Sequence, residues 1–264
     1  MTEVKEFRRT EFCMGTVFRF IGRTDKDVSV ALEQAVAILH EADTIFSLYK
    51  PESPLSKLAR GETSVAQSPE VVEQVWQLCE KWNIETEGWF NAFTLEHTFD
   101  PSGLVKTWAA ERAAQHLEDS GIHDFAMNAG GDIRLSKGIE PGFARRIGIS
   151  KPITIANPDA GVLTVVDLNG TDFRAVATSG TAERGEHIWN PKANSWANEL
   201  DQVTVVAEDL VTADIWATAI FAAGHQGLSL AQRHSEEHSF QALVVENSSE
   251  LSSTKGFEKL LNPV

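Results

Sequence analysis

The sequence predicts an α+β protein in which two α/β lobes with mixed sheets interlock. Three observations carry that expectation. Segments with helical and with extended hydrophobic spacing interleave without a regular βαβ order, and no internal repeat, heptad series or Pro/Ser-rich linker divides the chain. The 264 residues are 42% hydrophobic and 23% charged, the balance of a globular chain able to bury about 70–75% of its unfolded surface. Residues 1–264 are therefore expected to form one domain.

Val17, Phe18, Phe20 and Ile21 mark an opening strand. From Asp27 to Phe46, Val28, Leu32, Ala35, Val36, Leu39 and Ala42 recur at helical spacing. Ser68-Pro69-Glu70 reads as a helix start, with serine as cap and proline at the first helical position, ahead of Val72, Val75, Cys79 and Trp82 and a stop before Gly88. A third helix begins near Ser102 and runs through Leu104, Val105, Trp108 and Leu117 to a stop at Gly121. Short β-favouring runs follow at Phe125 to Met127, Ile147 to Ile149, Val162 to Val166, Phe173 to Ala177 and Val203 to Val206. A helical pair, Ala213 to Ala223 and Leu228 to His234, leads to a strand at Ala242 to Val245 and a polar tail from Asn247 to Lys255.

Charge and cysteine usage remove several functions. With 23 Lys+Arg against 38 Asp+Glu, the net charge of −15 repels nucleic acid and anionic lipid, and no run of basic residues offsets it. Cys13 and Cys79 lack the spacing of a disulfide framework or a thiolate metal site. The first residues lack the apolar stretch of an export signal, and no window reaches a membrane span, so a cytoplasmic location is expected. GxGxxG, GxxxxGK[ST], HExxH and GxSxG are all absent.

Polar residues gather at five turn-like places: Cys13 to Thr16, Ser47 to Tyr49, Asp100 to Gly103, Asn128 to Asp132, and Ala177 through His187. Glycines in such turns permit close backbone approach, and their N–H groups can bind phosphate oxygens. In isolation, Asn128 to Asp132 with its Gly130-Gly131 reads first as a plain hairpin turn. Asp214 and Thr218, one helical turn apart, offer a carboxylate and a hydroxyl on one face, a pair suited to a hard cation such as Mg²⁺. The alternative is a capping Asp and a core Thr bonded back to a carbonyl. His187 lies in a charged stretch where it would serve as a general base near neutral pH. The other seven histidines, His234 and His238 among them, read as solvated. Tyr49, the lone tyrosine, would pack in the core or lie against a planar ligand.

The order of these blocks is more informative than any one of them. Met14-Gly15-Thr16, Ser47-Leu48-Tyr49, Asp100-Pro101-Ser102-Gly103-Leu104-Val105-Lys106, Asn128-Ala129-Gly130-Gly131-Asp132-Ile133, Ala177-Thr178-Ser179-Gly180, His187-Ile188, and Ala213-Asp214 with Ala217-Thr218-Ala219 together resemble the ApbE family of FAD:protein FMN transferases, most strongly over residues 13–224. The resemblance implies a cleft holding FAD between the two lobes, Mg²⁺ at the pyrophosphate, and transfer of FMN to a threonine or serine hydroxyl of an acceptor protein with release of AMP. It implies that Asp214, Thr218 and the Gly103 carbonyl hold the metal, and that Met14, Tyr49, Asp100, Lys106 and Ile188 line the FAD. Trp89, Phe90 and Asn91 match a flavin-contacting segment, and His187 a histidine implicated in catalysis, with Asp214 next in line as base.

The chain departs from the family pattern at Asn91, where Asp is usual, and in the short stretch from Asn91 to Asp100. It departs again at Thr107-Trp108, where Gly-Tyr is frequent, a change of shape near the metal that removes no ligand. An FAD pyrophosphatase using the same metal site and a non-catalytic FAD-binding module are the alternative functions.

Overall fold

The structure is a computed structural model that describes residues 3–93, 98–139, 142–152, 161–180 and 188–262. The chain opens with a hairpin of β1 (Lys5–Cys13) and β2 (Thr16–Thr24). Met14 and Gly15 join them with φ of 51° and 68°, the two left-handed residues that let a two-residue turn match the strands' twist. Four helices follow: α1 (Ser29–Phe46), α2 (Pro54–Ala59), α3 (Glu70–Glu85) and α4 (Ser102–Asp119). Then come β3 (Asp124–Ala129), β4 (Asp132–Leu135), β5 (Arg146–Ser150), β6 (Val162–Asp167), β7 (Ala175–Gly180), β8 (Trp189–Asn190), β9 (Ser195–Trp196) and β10 (Leu200–Ala207). The chain closes with α5 (Leu210–Ala222), α6 (Gly227–His234), β11 (Phe240–Glu246), β12 (Leu251–Ser253) and β13 (Leu261–Asn262).

The main sheet has eight strands in the order β1-β2-β3-β4-β7-β10-β11-β12, and β13-β6-β5 form a second sheet. Period-two alternation gives the main sheet two apolar faces. Phe125, Met127, Ala177, Val203, Val205 and Ala242 enter one core with α1, α4 and α5. From the same strands, Val176, Val206 and Leu243 point the other way, into a second core with Ile149, Val166 and Phe257. The lobes interlock because both cores share these strands.

Every pairing among the described strands is antiparallel, which corrects the expectation of mixed sheets. Neighbouring strands of the main sheet are joined by hairpins, by helices (β2 to β3 and β10 to β11) or by excursions through β5–β6 and β8–β9, each bringing the chain back to the end it left, so no βαβ crossover forms. Among the described residues, no helix is long and apolar enough to cross a membrane.

Helix ends follow local chemistry. Pro69 is itself the cap of α3, one residue later than the expected Ser68, because the Ser68 hydroxyl turns back to donate to the Ser64 carbonyl at 2.9 Å. Gly121, at φ 79°, ends α4 as anticipated, with Gly121 N–H donating to Glu118 O at 2.9 Å and Ile122 N–H to Leu117 O at 3.0 Å, a left-handed C-terminal cap. The expected polar tail from Asn247 to Lys255 instead contains β12, the sheet's edge strand beside β11. Helix α5 is apolar on nearly all sides because it packs between the sheet and the helices α4 and α6. That arrangement makes Asp214, 7% exposed, the one carboxylate on α5.

Candidate functional site

Two turns and two helix starts build the site. Between β3 and β4, Gly130 and Gly131 adopt φ of 63° and 106°, and the Asn128 Oδ1 accepts from Gly131 N–H at 3.0 Å. A Cβ on Gly130 would overlap the Thr16 side chain, so the two hairpin tips meet only because glycine stands there. The plain hairpin reading of this turn is therefore right, but the turn also delivers Asp132. That carboxylate, 2% exposed, accepts from Thr178 N–H at 3.1 Å and from Lys106 Nζ at 2.6 Å.

At the start of α4 the Asp100 Oδ1 accepts from Ser102 N–H at 3.0 Å and from the Ser102 hydroxyl, which turns Ser102 and Gly103 toward the open space above the sheet. Lys106 lies one turn further on. Its ammonium bridges Asp132 and, at 3.7 Å, Asp214 Oδ2. Helix α5 is capped by Asp209, whose carboxylate accepts from Thr212 N–H at 2.9 Å and the Thr212 hydroxyl at 2.7 Å. Asp214 and Thr218 then face the same space one turn apart, as their spacing predicts.

Hydroxyls hold both members of the pair. Thr107 Oγ1 donates to Asp214 Oδ2 at 3.0 Å, and Thr218 Oγ1 lies 3.3 Å from Ser179 Oγ. Burial pushes the Asp214 carboxyl up to about 6, and the Asp132 charge adds to that, while Lys106 and Thr107 oppose it. The capping and back-bonding alternative for Asp214 and Thr218 fails, because Asp209 is the cap and both side chains point into the cavity.

All the sequence-derived site residues except His187 line one cavity of about 1720 Å³. His187 lies outside the described residues, although Ile188, its neighbour in sequence, lines the cavity. Met14 forms one wall, from the tip of the first hairpin. Tyr49 stands at the mouth and is 98% exposed, which excludes the core-packing reading for its ring. Trp89 and Phe90 are buried, held by bonds from Asn83 Nδ2 to Phe90 O at 2.8 Å and from Phe90 N–H to Thr86 Oγ1 at 3.0 Å. Phe90 also explains Gly103, since a Cβ there would press on the ring at 3.2 Å. The Lys192 ammonium sits 4.0 Å above the Trp89 ring, and Asn91 Oδ1 accepts from Phe93 N–H at 2.9 Å, closing a local turn. Across the cavity lie Arg146 at the start of β5 and Lys151 just past its end, two cations in a strongly acidic chain.

Sequence reasoning missed Asp132 as a side chain of the site, and it missed Thr107 and Ser179 as its supports. Asp132 and Ser179 sit inside the Asn128–Ile133 and Ala177–Gly180 blocks, where turn chemistry masks the role of the side chain. The two halves of the Thr107-Trp108 departure separate. Thr107 faces Asp214, while Trp108 packs edge-on against Phe46 at 5.7 Å and under the Arg112 guanidinium at 4.6 Å.

Fold and site together define an α+β protein with a cleft able to hold a cation and a phosphate ester. The model of the ApbE family matches residues 93–243, more than half of the chain, and the chain belongs to that family. An FAD:protein FMN transferase from Klebsiella pneumoniae (strain 342) is 31% identical over 147 residues, 52% of this chain and 43% of that protein. The aligned region thus spans less than half of that curated relative. Among solved structures, the flavin transferase ApbE from Vibrio cholerae superposes with a TM-score of 0.80 at 19% identity, covering 98% of this chain and 100% of that one. The ApbE protein from Thermotoga maritima gives 0.79 at 20% identity, with the same coverage of both chains. These two likenesses establish the shared fold.

Proposed function

We propose that this chain transfers the FMN moiety of FAD to a threonine or serine hydroxyl of an acceptor protein and releases AMP. The observation that carries the reading is that one cavity gathers Asp214, Thr218, Gly103 and Lys106 together with Met14, Tyr49, Trp89 and Phe90. Its volume of about 1720 Å³ exceeds the roughly 300–1,000 Å³ of ordinary small-ligand sites. That leaves room for a dinucleotide together with an acceptor segment.

The donor set fits a divalent cation. A buried carboxylate, a hydroxyl and a backbone carbonyl are all oxygen ligands, as Mg²⁺ requires, and the raised Asp214 carboxyl marks a charge that the protein alone does not fully compensate. When bound, the ion would neutralise charge on the pyrophosphate.

The chain's own residues supply the rest. Lys106 places a positive charge beside the phosphates, and Thr107 and Ser179 hold Asp214 and Thr218 in place. Glycine turns and the start of α4 present N–H groups to phosphate oxygens, and Tyr49 and Met14 hold the ring systems. In the transfer, the acceptor oxygen bonds to the FMN-side phosphorus as the bond from that phosphorus to the AMP oxygen breaks. We assign the hydroxyl proton to His187, because an Asp214 engaged with a cation is a poor base. The whole of residues 1–264 acts as one domain in this reading, in the cytoplasm.

The test is mass spectrometry of an acceptor protein incubated with the chain, FAD and Mg²⁺. A covalent FMN adduct with an equivalent of AMP supports transfer. Free FMN and AMP with an unmodified acceptor would make the protein an FAD pyrophosphatase. His187→Ala should keep FAD binding and slow transfer by about 10²–10⁴, and parallel loss of FAD binding would return His187 to the pocket wall.

A further inference from the structure

Beyond the cavity, on the opposite side of α5, lies a second group of chemically able side chains. Trp216, fully buried, lies between Asp214 and Thr218 in sequence but points away from them. It stacks on His234 with ring centroids 5.2 Å apart and meets His238 at the same distance. The turn after α6 is helical, with His238 N–H donating to His234 O at 3.0 Å. His234, Glu237 and His238, spaced i, i+3 and i+4, therefore share one face. Neither histidine is solvated as the sequence reading expects.

The protonation of His234 follows from its partner. Its Nε2 lies 2.9 Å from Glu87 Oε1, and a carboxylate can only accept, so Nε2 carries a proton and in the neutral ring Nδ1 keeps a bare lone pair. That Nδ1 is buried without a hydrogen-bond partner, an arrangement that costs free energy unless something completes it. A cation would complete it. One imidazole nitrogen on a carboxylate with the other free is also the pattern by which proteins orient a metal-binding histidine. His238 has a carboxylate of its own, Glu85, 3.8 Å from Nδ1.

We propose that His234, Glu237 and His238 form a binding site for a divalent transition metal, with zinc as the best match. One ligand atom from each lies within 4.8 Å of the others, and the exposed Glu237 side chain is free to swing in to metal–ligand distance. Two imidazoles and one carboxylate suit Zn²⁺ and leave a fourth position for water. The set is wrong for Mg²⁺, which demands oxygen, so the two sites do not compete. A bound ion would tie the end of α6 to the segment after α3 through Glu87, and would bear on Trp216, which α5 carries on the face away from Asp214.

The test is calorimetric titration of Zn²⁺ into the chelator-stripped full chain in excess Mg²⁺, with thermal unfolding followed in parallel. The expected result is one high-affinity equivalent that raises the unfolding midpoint. Affinity should fall at least tenfold in His238→Gln and in Glu237→Gln and stay unchanged in Asp214→Asn. Glu237 is exposed, so its variant keeps the test valid should His238→Gln fail to fold. Absence of a stoichiometric site, equal binding by the Glu237 variant, or loss of binding only in Asp214→Asn would each overturn the proposal.

Discussion

The Thr107 hydroxyl donates to the Asp214 carboxylate at 3.0 Å, across the interface between α4 and α5. A buried carboxylate with few donors is sensitive to losing one. Thr107→Val, close in shape, should raise the Asp214 carboxyl further and weaken Mg²⁺ binding about 10–100-fold, the usual cost of removing a group that supports a ligand. Thr107→Ser should restore most of it. Mg²⁺ titration of both variants at fixed FAD checks this, and an unchanged Mg²⁺ requirement in the valine variant would reduce Thr107 to packing.

Asp214 should be a liability for stability. Burial raises its carboxyl from 3.8 to about 6, so between those values the folded chain holds a proton that the unfolded chain has lost, and ionising Asp214 opposes folding. In chelator, Asp214→Asn should stabilise the protein by roughly 1–3 kcal/mol above about pH 6. The gain should shrink as pH falls from there and vanish below about pH 4, where the carboxyl is neutral in both states. Urea unfolding of variant and parent at several pH values reads the difference, and a variant less stable than the parent at pH 8 would contradict it.

Arg134 is buried in the sheet yet charged. Its guanidinium donates to Glu111 at 2.9 Å and to Glu118 at 3.1 Å, and Glu111 in turn accepts from the Leu210 N–H at the start of α5 at 3.1 Å. Arg134→Met strands two carboxylates and loosens the cap of the helix that bears Asp214. A loss of about 3–5 kcal/mol is expected, measured by denaturant unfolding. A cost under about 1 kcal/mol would show that the carboxylates find other partners.

Tyr49 supports no packing, so Tyr49→Ala should leave unfolding unchanged while weakening FAD binding by about 1–3 kcal/mol, the worth of one stacking face. Equal FAD dissociation constants for variant and parent would remove Tyr49 from the site.

Much of this fold is legible in the sequence because its elements carry local signals. Gly121 ends α4 in a left-handed conformation, α3 stops before Gly88 as its signal predicts, and the spacing of Asp214 and Thr218 fixes a shared face without knowledge of the fold. What stayed hidden depends on partners far along the chain. Thr107 reads as a loss of glycine until α5, more than a hundred residues later, brings Asp214 against it. Asp132 reads as the end of a hairpin until Lys106 and Thr178 converge on it. His234 and His238 read as solvated until Trp216 is placed beneath them. Antiparallel pairing is set by how the helices return the chain to the sheet, which strand patterns alone do not encode.

The proposed function makes the face carrying Asp214 and Thr218 the cation-anchored pyrophosphate end of an FAD cavity. The most direct measurement is the equilibrium affinity for FAD with and without Mg²⁺, in the parent and in Asp214→Asn. The parent should bind FAD at least tenfold more tightly with Mg²⁺, and the variant should bind with no Mg²⁺ dependence. An affinity in the parent that ignores Mg²⁺, or a variant that keeps the full Mg²⁺ effect, would contradict it.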